Sequence, residues 1–225
     1  MPTFADPHAG LPMQRHLPNQ LTLFRLVLAA LFFVILNQYR YASSTPDWIL
    51  LIAMVVFIVA ALTDYLDGYL ARKWQVESTF GRIMDPFCDK VLVIGAFIYL
   101  AGPRFVMPDA VDDRAIFVMV SGVYPWMVAI ILARELLVTG VRGELEGKGI
   151  QFGANMSGKL KMVLQSVTVP VVLLIVFFDP KLAGHGWMGW VRDILVYLTV
   201  IVTLVSGIPY FVQAVRVMTR SSNSN

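Results

Sequence analysis

The stretch Asp64–Lys90, DYLDGYLARKWQVESTFGRIMDPFCDK, decides how the rest of the chain is read. It follows one apolar run, Ile49–Leu62, and leads into another, Val91–Leu100. Asp64 and Asp67 stand three residues apart and Asp85 and Asp89 four apart, so on helices each pair shares one face. Both pairs lie at the end of a hydrophobic helix, where an ionisable side chain marks a functional site by default. One Asp at the centre of a membrane helix costs roughly 3 kcal/mol, and four at depth would cost about 10. Nothing between the pairs supplies four neutralising cations. A bound divalent metal would.

Outward from that stretch the chain is greasy. Of 225 residues, 57% are hydrophobic and 15% charged, against about 25% charged in a soluble domain. Mean hydropathy is +0.68. This composition predicts an all-α integral membrane protein with six transmembrane helices. The first span falls within Asn19–Tyr39, and the second runs from Trp48 to Leu62 with its helix continuing through Arg72. The third covers Ile83–Leu100 and carries carboxylates in its first turns. The fourth, Ile116–Leu137, continues into the polar Arg134–Glu146 stretch. The fifth and sixth are Leu160–Phe178 and Trp190–Val212. Residues 1–18 are expected to form a tail with a short interfacial piece, 19–215 a single six-helix domain, and 216–225 a second tail. The first eighteen residues lack the apolar core of a signal peptide.

Six spans put both termini on one side. With that side inside, all but five of the 18 Lys and Arg fall there; Arg40, Arg104, Arg114, Lys181 and Arg192 are outside. The positive-inside rule therefore predicts cytoplasmic termini and a cytoplasmic active site. Trp48, Trp187 and Trp190 sit at span ends, as an aromatic belt would place them. A formal charge of +3, without a pattern of stacking and basic residues, argues against nucleic acid. The single Cys88 excludes an intramolecular disulfide and is expected to pack as a small apolar group. His8, His16 and His185 are scattered without ligand spacing.

Carboxylates are hard oxygen ligands that suit Mg²⁺, Mn²⁺ or Ca²⁺, and no soft ligand set competes in the stretch. Four of them on two neighbouring helices can hold two ions, the arrangement that clamps attacking and leaving oxygens in phosphoryl displacement. Gly68 and Gly81 leave room beside such ions, Ala71 keeps the same face small, and Arg72 offers a fork that matches a phosphate.

The full pattern is Asp-x2-Asp-Gly-x2-Ala-Arg, eight residues, then Gly-x3-Asp-x3-Asp. It is met at Asp64, Asp67, Gly68, Ala71, Arg72, Gly81, Asp85 and Asp89 without departure. This resembles the signature of the CDP-alcohol phosphotransferase family. The resemblance implies a CDP-linked donor such as CDP-diacylglycerol, transfer of its phosphatidyl part to an alcohol, and release of CMP. It implies two divalent ions, Mg²⁺ or Mn²⁺, held by Asp64, Asp67, Asp85 and Asp89, with Asp89 also acting as general base. Gly68, Ala71, Arg72, Ser78 and Gly81 would border the nucleotide. Asn19 and Thr22, in PNQLT, resemble the family's Asn-x-x-Thr and would close the pocket from the other side. A homodimer in the lipid bilayer is implied by the family alone.

A second polar stretch bears on the acceptor. Arg134 and Arg142 are eight apart, close to one helix face, and Lys159 and Lys161 follow across a short connection. The arrangement Arg-Glu…Arg plus Gly-Lys-x-Lys…Gln is similar to family members whose acceptor is glycerol 3-phosphate, a phosphate that needs fixed cations. Inositol phosphate, serine or phosphatidylglycerol are the other acceptors the resemblance leaves open. A transporter or proton pathway would spread its carboxylates along a pore near the midplane, whereas these cluster at one end. A membrane scaffold explains the apolar runs and leaves the eight-position pattern unexplained.

Overall fold

The computed structural model describes residues 12–41, 47–74, 79–107, 118–147, 156–178 and 186–222. Leu-, Ile-, Val- and Ala-rich runs separated by Gly, Pro and polar breaks become helices α1 (Pro12–Leu36), α2 (Trp48–Trp74), α3 (Thr79–Leu100), α4 (Pro125–Gly147), α5 (Met156–Phe178) and α6 (Trp187–Ser222). The family of contacts is a bundle: α1 packs on α2 and α3, α2 on α5, and α6 on α4 and α5. At about 1.5 Å per residue, the 27 residues of α2 run to about 40 Å, longer than the roughly 30 Å hydrocarbon layer. Its last two turns therefore carry Asp67 to Trp74 beyond the apolar segment. Two stretches, Gly158–Phe178 and Trp187–Gln213, are long and apolar enough to cross a membrane whole; Thr22–Leu36, Trp48–Asp64 and Lys90–Leu100 are shorter apolar segments.

The exterior argues for lipid more strongly than the interior does. Along α6, Ile194, Leu198, Ile201, Val205, Ile208 and Phe211 are all exposed, a continuous apolar stripe that water would not tolerate. Inside, small residues let helices approach: Ala29, Ala53, Ala60 and Ala96 are essentially inaccessible. Phe32 of α1 meets Phe57 of α2 with ring centroids 5.5 Å apart. Polar contacts join α5 to α6, with Gln165 Nε2 donating to Thr203 Oγ1 at 3.1 Å and the Thr168 and Thr199 hydroxyls 2.7 Å apart. Such interhelical bonds suit a membrane interior.

The expected fourth span is corrected at its start. Ile116 and Phe117 lie outside the described residues. Val118–Met119 forms strand β2, paired antiparallel with β1, Val106–Met107, and α4 begins only at Pro125. The apolar run could not separate strand from helix, because periodicity is silent in a fully apolar segment. Chemistry in the turn decides it. Ser121 Oγ donates to Leu100 O at 2.6 Å and accepts from Val123 N at 3.2 Å. Gly122 takes φ 68°, and Pro125 opens the helix where a missing N–H is harmless. The other helices fall close to expectation. α1 starts inside the stretch assigned to the N-terminal tail, and α6 runs on through Ser222, past Arg216.

Arg192 closes this end of the bundle. Its Nη1 donates to Val120 O at 2.6 Å and its Nη2 lies 2.7 Å from Asp193 Oδ1. A Cβ at Gly122 would sit 2.7 Å from both Arg192 Nε and Asp193 Oδ1. Gly122→Ala is therefore expected to cost about 2–3 kcal/mol, from the left-handed backbone plus displacement of the clasp. The check is a thermal melt in detergent; an unchanged midpoint would show that the clasp yields freely.

Candidate active site

Arg25 is the first surprise of the polar end. It lies in α1 with 1% of its side chain exposed, and its Nη1 stands 2.5 Å from Asp64 Oδ1 on α2. Asp64 thus has a cation that the sequence reading did not assign to it, from the preceding helix rather than from the stretch itself. A signal was present. A lone Arg within the apolar Leu21–Leu36 run would cost roughly 3 kcal/mol in a membrane without a partner. Thr22, one turn before Arg25, is buried as well. Asp64 keeps 26% of its side chain exposed, so the ion pair does not seal it from an incoming ligand.

The helices carry the remaining sequence candidates. Asp67, Gly68, Ala71 and Arg72 belong to α2, Gly81, Asp85 and Asp89 to α3, and Asn19 to α1; their side chains lie outside the described residues, and Ser78 lies outside them altogether. Among the described residues no three His, Cys, Asp or Glu side chains gather at one point. Cys88 is buried, as a packing residue should be.

The second polar stretch forms a cluster at the junction of three helices. Arg134 Nη1 donates to Glu135 Oε1 at 2.9 Å, and Lys161 Nζ of α5 donates to the same oxygen. Arg134 Nη2 reaches Ser206 O of α6 at 3.3 Å. Gly207 makes room for it, because a Cβ there would lie 3.1 Å from Arg134 Cγ. Arg142 and Lys159 are exposed. Of the four cations that the sequence groups as one set, the bundle joins Arg134 to Lys161 through Glu135.

A bridge links the two polar regions. Lys90, next to Asp89 on α3, donates from Nζ to Thr139 Oγ1 at 2.5 Å, and that hydroxyl donates to Glu135 O at 2.7 Å. Beside it, a cavity of about 630 Å³ between α3 and α4 is walled mainly by apolar groups such as Val91, Ile98 and Leu136, with Lys90, Glu135 and Thr139 as its polar members. Arg40 and Arg104, by contrast, border a cavity at the opposite end of α1 and α3, and Arg192 joins that end through Val120. Three of the five basic residues expected outside therefore share one end of the bundle, away from Lys90, Arg134 and Lys161.

A helical bundle with an apolar exterior and a buried charged cluster at Arg134, Glu135 and Lys161 defines a class, the helical membrane proteins. Within that class the chain belongs to the CDP-alcohol phosphatidyltransferase family, whose model matches residues 15–205. It is 33% identical over 204 residues to the CDP-diacylglycerol–glycerol-3-phosphate 3-phosphatidyltransferase of Bacillus subtilis, covering 87% of this chain and 93% of that one. The protein of the same name from Cereibacter sphaeroides is 34% identical over 165 residues, 72% of this chain and 65% of the relative. That from Rickettsia prowazekii is 29% identical over 199 residues, 88% and 95%.

The family generally depends on a divalent metal. Of the four carboxylates of the pattern, Asp64 is the one whose side chain is described: a hard oxygen donor, partly open, paired with Arg25 and on the helix that also carries Asp67.

Proposed function

We propose that this chain transfers the phosphatidyl group of CDP-diacylglycerol to the 1-hydroxyl of glycerol 3-phosphate, giving phosphatidylglycerophosphate and CMP. The observation that carries this reading is the Lys90–Thr139–Glu135 bridge, which sets the helix of Asp85 and Asp89 beside the Arg134–Lys161 cluster. With the donor at the Asp-bearing turns of α2 and α3 and the acceptor's phosphate at Arg134 and Lys161, the two would share one end of the bundle. The relatives' names agree with that pairing. We assign six spans, cytoplasmic termini, a cytoplasmic site and a homodimer.

Asp64, Asp67, Asp85 and Asp89 would hold two ions, Mg²⁺ or Mn²⁺, which supply charge neutralisation at the diphosphate. Asn19, Thr22, Gly68, Ala71, Arg72, Ser78 and Gly81 border the nucleotide. Arg134, Lys161, Arg142 and Lys159 bind the acceptor's phosphate and turn its free hydroxyl toward the diphosphate. Asp89 accepts the hydroxyl proton as the new O–P bond forms at the lipid-linked phosphorus. The bond from that phosphorus to the bridging oxygen breaks, and CMP leaves with the bridging oxygen.

A panel of radiolabelled acceptors offered with CDP-diacylglycerol tests the reading. Lipid product should form with glycerol 3-phosphate and not with serine or inositol phosphate; no product with glycerol 3-phosphate would end it. Arg134→Ala should raise the acceptor KM about 10- to 100-fold, the loss of one charge-assisted hydrogen bond, with the donor KM little changed. An unchanged acceptor KM would take Arg134 out of the site.

A further inference from the structure

We propose that Glu135 is the positioning residue of the acceptor site: its single oxygen Oε1 fixes Arg134 and Lys161 at a separation that one phosphate can span. The inference rests on the reading of the acceptor given above. Glu135 is 6% exposed, and a buried carboxylate is retained only when paired. It is paired twice through the same atom, to Arg134 of its own helix and to Lys161 of α5. Two cations that bond one oxygen are held close to each other, within reach of a single phosphate. Glu135 therefore sets the distance between the two groups before any substrate arrives.

The rest of the junction is built to hold this geometry. Arg134 is anchored from behind by Ser206 O and fitted against Gly207. One guanidinium nitrogen, Nε, is buried with no hydrogen-bond partner. Lys161 sits one turn from Gln165, which is tied to Thr203. Thr139 hangs on the carbonyl of Glu135 and receives Lys90, so the same residue registers the cluster against α3. The cluster of three charges nets one positive charge. With Glu135 neutral, two like charges would face each other in a partly dry junction, and their spacing would no longer be set by a shared oxygen.

A competing role is explicit. If Glu135 merely occupied the phosphate's place, its removal would free both cations and the acceptor would bind more tightly. The test is Glu135→Gln in the full chain in detergent–lipid micelles, with KM for glycerol 3-phosphate, KM for CDP-diacylglycerol and the melting temperature measured on one preparation. Positioning predicts an acceptor KM raised roughly 100-fold, a donor KM within about twofold, and kcat at saturating acceptor falling less than kcat/KM. Glu135→Asp, which keeps the charge on a shorter stem, should recover part of the loss and serves if the Gln variant does not fold. An acceptor KM that is unchanged or lowered overturns the proposal, as does an equal rise in both KM values. If the wild-type protein itself makes no product from glycerol 3-phosphate, the functional reading fails first, before any variant is compared.

Discussion

Asp67→Asn is expected to lower CMP release from CDP-diacylglycerol and glycerol 3-phosphate by at least about 1000-fold while leaving the fold intact. The size follows from the role proposed for the residue. Charge stabilisation by a bound metal is worth several kcal/mol in phosphoryl transfer, and each 1.36 kcal/mol is about tenfold in rate. An Asn keeps the shape and one oxygen but brings no negative charge, so it weakens the grip on a hard cation without altering packing. Asp67 lies past the apolar part of α2, where the exchange should move the melting temperature by only a degree or two. Asp89→Asn should differ in kind. If Asp89 takes the acceptor's proton, turnover collapses while donor binding, read by protection against thermal unfolding, is better preserved. Equal loss of both would leave Asp89 as a ligand alone. Stripping divalent ions should abolish release, and Mg²⁺ or Mn²⁺ should restore it. Full activity in the Asp67 variant would remove that residue from the site.

How far the sequence could be read depended on the range of the interactions. Helix content followed from apolar runs, and α2 was expected through Arg72 and ends at Trp74, because a run bounded by Trp48 and continued by Asp67, Ala71 and Arg72 has helical spacing throughout. The β1–β2 ribbon was invisible, since its strands are two residues each and β2 sits in a segment as apolar as a span. Pairings between helices were equally hidden. Spacing rules tie residues three or four apart on one helix; they are silent on Arg25 with Asp64 or Arg134 with Ser206, contacts set by how helices cross. The cations of the second stretch were visible as residue types, but their grouping was not. Arg134 and Lys161 share Glu135 Oε1, a fact that only the packing of the helices supplies.

The Arg25–Asp64 pair supports the second large prediction, which concerns stability rather than rate. Removing one partner of a buried ion pair costs roughly 3–5 kcal/mol, because the other charge stays behind without compensation. Here Arg25 is 1% exposed and Asp64 26%, so the cost falls unequally. Asp64→Asn takes the carboxylate charge from beside the deeply buried guanidinium and should cost about 3 kcal/mol, roughly 6–12 °C for a chain of this size. Arg25→Leu leaves behind a carboxylate that can still turn toward water, and should cost less, about 1–2 kcal/mol. The double variant Arg25→Leu/Asp64→Asn removes both charges of the pair and puts an apolar side chain where α1 packs on α2, so it should melt above Asp64→Asn alone. Melts of the four proteins in the same micelle complete the cycle. Strictly additive losses would mean that the two residues are stabilised by other neighbours, and Arg25 would then have no claim on the orientation of Asp64. A double variant more stable than Asp64→Asn but devoid of CMP release would separate the two duties of the carboxylate: one oxygen holds α2 to α1, and the charge as a whole serves the substrate end.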